Sequence, residues 1–133
     1  MSDRTLAYTL ARVGLGVNLA CHGAVRIPKL ESFAKWMTGL FADSWLPAFL
    51  VTPFAWLLPF VELALGLAIL LGWQSRRVLA GASALMVMLI FGSCLIENWS
   101  AAGSQMIYLA FSALLLAFRE AGNGCSLDEK LAK

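Results

Sequence analysis

Long apolar stretches broken at fairly regular intervals by short polar ones dominate this chain. The first runs from about Thr5 to Ile27, with Arg12 as its only charge before Arg26, and Pro28 ends it. A second apolar region extends from Leu46 to Leu71; Pro47, Pro53 and Pro59 punctuate it, so the span is placed at residues 53–71, with Glu62 as its single charge. Residues 78–96 carry no charge at all, and 101–118 follow after the turn Glu97-Asn98-Trp99-Ser100. A bilayer helix needs about 20 predominantly apolar residues, so the pattern predicts an all-α integral membrane four-helix bundle forming a single domain over residues 1–133. Between the first two spans, residues 29–41 alternate Leu30, Phe33, Trp36, Met37 and Leu40 with Lys29, Glu31 and Lys35. That spacing predicts a short amphipathic helix on the membrane surface. The tail at about 121–133 is polar, and the expectation is that it is exposed and mobile.

Composition agrees with this reading. Sixty per cent of residues are apolar and 14% charged, against roughly half and a quarter in soluble domains. A net charge of +2 without a basic cluster excludes nucleic acid as the expected partner. The polar Asn18 in the first span, where a lipoprotein cleavage site wants an aliphatic residue, argues against a removable signal. Lys and Arg favour cytoplasmic loops. One side of four spans would hold Arg4, Arg76, Arg77, Arg119, Lys130 and Lys133, and the other Arg26, Lys29 and Lys35. Six against three predicts both termini on the cytoplasmic face of a bacterial-type inner membrane. Cys21, Cys94 and Cys125 show no metal-ligand spacing, so no metal site is expected. Cys21 and Cys94 both fall near the outer ends of their helices, where they either pair as a disulfide or stay separate.

The candidate chemistry lies in the polar residues inside the spans. A charge in hydrocarbon costs at least about 2.5 kcal/mol and asks for a partner or a purpose. Measured from helix ends taken as flush, Arg12 lies roughly 10 Å and Glu62 roughly 14 Å from the cytoplasmic side. The expectation is a buried Arg12–Glu62 ion pair, either purely structural or functional, with Glu62 as proton acceptor and Arg12 as anchor for a substrate oxygen. Asn18 and His22 share a helix face at i, i+4, and Gln105, Tyr108 and Ser112 form a second stripe. With Trp36, Trp45, Trp56 and Trp99 near the interface, these residues suit an outward-opening pocket for a flat apolar head group such as a quinone. Asn18, His22, Gln105, Tyr108 and Trp99 are its candidate binding residues, and Glu62, His22 and Arg12 its candidate catalytic ones. Interfacial tryptophans and polar contacts between helices account for the same residues without a ligand. No flavin, heme or metal motif is present.

Arg12, Gly16, His22-Gly23, Lys29-Leu30, Glu62, Gly66 and Gly72, in this order, resemble the DoxX family of small membrane proteins over about Ala7 to Phe118. The resemblance implies a compact four-helix bundle and, through DoxD-like relatives, a small membrane subunit of a quinone-linked oxidoreductase. A soluble or attached partner would supply the redox centre, because a short chain with no large soluble domain and no cofactor-binding motif is not expected to be a complete catalyst. The alternative is a noncatalytic accessory or scaffold subunit of a larger membrane complex.

Overall fold

A computed structural model describes residues 1–132; Lys133, counted above among the cytoplasmic cations, lies outside the described residues. Helix α1 (Asp3–Arg26) runs into a single 3-10 turn at Ile27–Lys29 and then α2 (Leu30–Leu40). Helices α3 (Ala48–Leu71), α4 (Ser75–Leu95) and α5 (Trp99–Ala117) follow, and α6 (Arg119–Gly122) and α7 (Leu127–Leu131) complete the chain. No strand occurs among the described residues. Helices α3, α4 and α5 are long and apolar enough to cross a membrane. Helix α1, with 24 residues, matches them in length but carries Asp3, Arg4, Arg12 and Arg26.

The second long helix begins five residues before its expected start. Pro47, in extended conformation, precedes its first residue, and Pro53 and Pro59 lie within it. A proline that precedes a helix closes it off from the chain before, whereas an interior one is tolerated where neighbouring helices satisfy the freed backbone groups. At its other end Gly72 is left-handed, with φ of 65°. Its N–H bonds the Ile69 carbonyl at 3.1 Å and that of Trp73 bonds Ala68 at 3.0 Å, the reciprocal pairing that terminates a helix at a glycine.

Helices α1 and α3 pack antiparallel through small residues. A side chain at Gly66 would overlap the backbone of Ala20, and one at Gly23 would overlap the Pro59 carbonyl and come within 2.6 Å of the Leu63 nitrogen. Close backbone approach of this kind is how helices associate in lipid. Its register is informative. With Gly16 against Leu70 and Gly23 against Pro59, Arg12 falls beside Gly72, and Glu62 falls beside His22 and Gly23. The first nine residues of α1 therefore overhang the end of α3 by roughly 14 Å. Helix α2 leans along the other end of α3, where Phe33 and Ala34 are buried and Thr38 reaches Thr52 at 3.5 Å.

The segment after Phe118 covers the overhang. A side chain at Gly122 would collide with that of Tyr8, so the Tyr8 ring packs directly on the tail backbone. Arg12 Nη2 donates to the Cys125 carbonyl at 2.7 Å and Nη1 to Asn123 Oδ1 at 3.3 Å. The N–H groups of Gln74 and Ser75 both donate to Asp128 at 2.7 Å, and the Asp128 N–H returns a bond to the Gly72 carbonyl. A carboxylate on the first turn of α4 satisfies orphan donors and complements the helix dipole. Burial pushes the Asp128 carboxyl up, but the bonds from Ser75 and Gln74, with Arg119 nearby, hold it below the usual aspartate range. Where mobility was expected, these contacts tie the tail to α1 and α4.

Two outcomes follow from this packing. Gly66→Ala should lower stability in detergent by about 1–3 kcal/mol through overpacking, whereas Gly14→Ala, whose new methyl meets nothing within 4 Å, should be neutral or stabilising; thermal unfolding of the two variants checks this. Because the Asp128 carboxyl titrates lower in the folded chain than in the unfolded one, its contribution is complete above about pH 4 and is lost as pH falls through the lowered value. Hydrogen exchange, corrected for intrinsic rates, should show the Gln74 and Ser75 amides losing protection in that acidic range. In Asp128→Ala they should lack that protection at every pH.

Candidate functional site

Helix α1 stops at Arg26, and the chain then turns across α3 as α2. Between the last turns of α1 and helices α2, α3, α4 and α5 lies a cavity of about 650 Å³. Most of its wall is apolar, including Met37, Leu50, Phe54, Leu58, Met86 and Leu89, with Trp36 among the lining residues. Asn18, His22, Glu62, Gln105 and Tyr108, all singled out from the sequence, line it together.

Glu62 is paired, though not with Arg12. Arg26 Nη1 donates to both carboxylate oxygens of Glu62, at 2.9 and 2.7 Å. The Glu62 side chain is 4% exposed and that of Arg26 25%, so the pair is buried on the carboxylate side and open to the cavity on the other. The Arg26 guanidinium also lies 4.7 Å from the Phe33 ring centre, an attractive cation–π geometry. Arg12 is excluded from this site because of the α1–α3 register. It lies roughly 15 Å down the helix from the level of Glu62, where Cys125 and Asn123 take its hydrogen bonds. The expectation of flush helix ends put the two residues at similar depth, and the overhang of α1 overturns it.

Arg26, the partner of Glu62 in the cavity wall, is the residue that sequence reading missed. Asn18, His22 and Arg26 recur every four residues on one face, so the stripe recognised at Asn18 and His22 simply continues one turn further. The residue was passed over because it lies next to Pro28, at the end of the span, where a cation reads as an interfacial anchor.

The other polar residues have defined roles. His22 Nδ1 lies 2.8 Å from the Asn18 carbonyl oxygen, and its ring meets Tyr108 edge-on with centroids 6.3 Å apart. Gln105 Oε1 accepts from Ser93 at 3.0 Å, and Ser112 pairs with Ser83 at 2.9 Å, so two members of the α5 stripe join α4 to α5. Trp99 does not line the cavity and is exposed at 65%. Trp45 and Trp56 are likewise outside the lining; Trp45 instead packs edge-on against Phe91. Cys21, Cys94 and Cys125 are free and exposed. Among the described residues, no group of three or more His, Cys, Asp or Glu is placed to hold a metal ion.

Comparison with known proteins identifies the lineage. The family described as methylamine utilisation protein MauE matches residues 4–106. The methylamine utilization protein MauE of Methylophilus methylotrophus is 39% identical over 75 residues, which is 56% of this chain and 38% of the relative. The chain thus spans well under half the length of that curated relative. No solved structure matches. The resemblance to the DoxX family is thereby corrected: the family that matches is a different one, and glycines, a histidine and single charges in a loose order do not separate one small helical membrane family from another.

Breaking the ion pair on one side should be worse than removing it whole. Arg26→Gln leaves a buried carboxylate uncompensated and should cost about 3–5 kcal/mol, while the double replacement Arg26→Met with Glu62→Leu should recover most of that loss. Melting of the single and double variants in detergent reads the difference, and Arg12→Gln should show no coupling to Glu62→Gln.

Proposed function

Starting from the fact that the chain belongs to the MauE family, on a family match covering residues 4–106, we propose that it is a membrane-embedded accessory protein of a methylamine-utilisation system. It does not complete a catalytic cycle alone. In this reading α1 is the fourth crossing: its charges lie at its two ends or, at Arg12, under the tail that closes the overhang. Both termini then face the cytoplasm, and the cavity opens toward the outer face. The family match carries the proposal, and the geometry supports it, since the best-formed chemical group in the cavity, Arg26–Glu62, is already internally paired.

A second reading is favoured by one observation: the cavity gathers Asn18, His22, Gln105 and Tyr108 beneath a mostly apolar wall. In this reading the protein is a membrane subunit that gives a soluble oxidoreductase access to a quinone held there. The proposed quinone site comprises those four residues and excludes Trp99.

Affinity purification in mild detergent from methylamine-grown cells, with mass spectrometry of bound proteins and extracted lipids, tests both. A stoichiometric protein complex with no ligand supports the accessory reading. Copurified quinone that is lost in Tyr108→Phe supports the second, and a lone chain with neither partner nor ligand overturns both. A green fluorescent protein fused after Lys133 should fluoresce if the termini are cytoplasmic.

A further inference from the structure

Hydrogen-bond direction in the cavity restricts what can occupy it. The Asn18 carbonyl oxygen can only accept, so the His22 Nδ1 atom 2.8 Å away carries the ring hydrogen. In the neutral ring Nε2 is then a bare acceptor, and among the described residues it has no partner and is not sealed from the cavity. Gln105 Oε1 is occupied by the Ser93 hydroxyl, which leaves the Gln105 amide N–H groups as donors. The Tyr108 hydroxyl, without a partner among the described residues, is a further donor. Arg26 and Glu62 cancel each other's charge through two short bonds, so a neutral occupant is favoured over an ion.

From this inventory we infer that the cavity selects a neutral ring bearing a hydroxyl group, the reduced quinol head group, over its oxidised quinone form. The inference rests on the quinone reading above and adds to it the redox state that the site holds. A quinol hydroxyl donates to His22 Nε2, and the oxygen at the opposite side of the ring accepts from Tyr108 or Gln105. A quinone offers only acceptor oxygens. Against Nε2 it would set two lone pairs face to face and leave the imidazole acceptor without a hydrogen, a mismatch that burial makes expensive. His22 thus acts as the residue that distinguishes the two forms, and its edge-on contact with Tyr108 keeps both rings in the lining of one cavity.

The test is equilibrium binding of a short-tailed benzoquinol and of the corresponding benzoquinone, measured anaerobically by tryptophan quenching on the whole protein in nanodiscs. One matched hydrogen bond corresponds to about five- to tenfold tighter binding of the quinol to the wild type. His22→Ala should abolish the quinol preference, bringing the two forms to the same affinity. His22→Gln, which restores an acceptor of similar reach and guards against a folding defect, should keep part of the preference. Tyr108→Phe should weaken both forms alike. Equal binding of the two forms to the wild type, or a quinol preference that survives in His22→Ala, overturns the inference while leaving a quinone site in place. Binding of neither form overturns the quinone reading itself.

Discussion

The register between α1 and α3 is the constraint from which most of the remaining structure follows. Gly16, Gly23 and Gly66 let the two backbones approach to a distance that any side chain would prevent, and in lipid, where apolar surface gains little by leaving its solvent, such contact is the main source of helix association. Once those glycines are in place, every other residue of α1 has an assigned level on α3. Glu62 meets the last turn of α1, where Arg26 is the cation within reach. Arg12 meets the end of α3, where Gly72 has room for a guanidinium only because it lacks a side chain. The two charges that looked like each other's partners are instead the two ends of one sliding scale, fixed by three glycines.

The cavity has the same origin. Helix α1 ends one turn above Glu62, Pro28 breaks it within a 3-10 turn, and α2 departs across α3. Helices α4 and α5, joined by Ser93 to Gln105 and by Ser83 to Ser112, form the facing wall, and the space between them and the last turns of α1 remains open. Of the polar groups that α1 and α3 give it, only Arg26 lies where a helix stops, and its guanidinium borders the void while Glu62 is enclosed by packing. A buried ion pair contributes little net stability in most settings. Here it also neutralises the one carboxylate that faces an apolar chamber.

Much of this was legible in the sequence. Hydropathy located α4 and α5 to within a few residues, because uninterrupted apolar runs between polar turns leave few alternatives. The start of α3 was displaced by five residues because Pro53 reads locally as a boundary, although an interior proline is tolerated between packed helices. Helical periodicity puts Asn18 with His22 on one face and Gln105 with Tyr108 on another, but it joined Glu62 to Arg12 and added Trp99, and neither Arg12 nor Trp99 lines the cavity where those four residues and Glu62 meet. Periodicity says which face a residue occupies and nothing about axial offset between helices, and for that reason the partner of Glu62 was misassigned. The family resemblance failed on different grounds: glycines and lone charges answer to the physics of helix packing, which many unrelated membrane bundles share.

The bond between Arg12 and the tail has a temporal side. Arg12 and the groups that satisfy it, Asn123 and Cys125, are separated by 111 and 113 positions in the chain, so α1 emerges from the ribosome with its arginine unmatched. At ordinary synthesis rates the tail follows on the order of ten seconds later. For that interval the arginine lacks the acceptors it has in the finished fold, and nothing in the tail offsets its cost in hydrocarbon. The segment after Phe118 can therefore close over α1 only once the three apolar helices between them have been made.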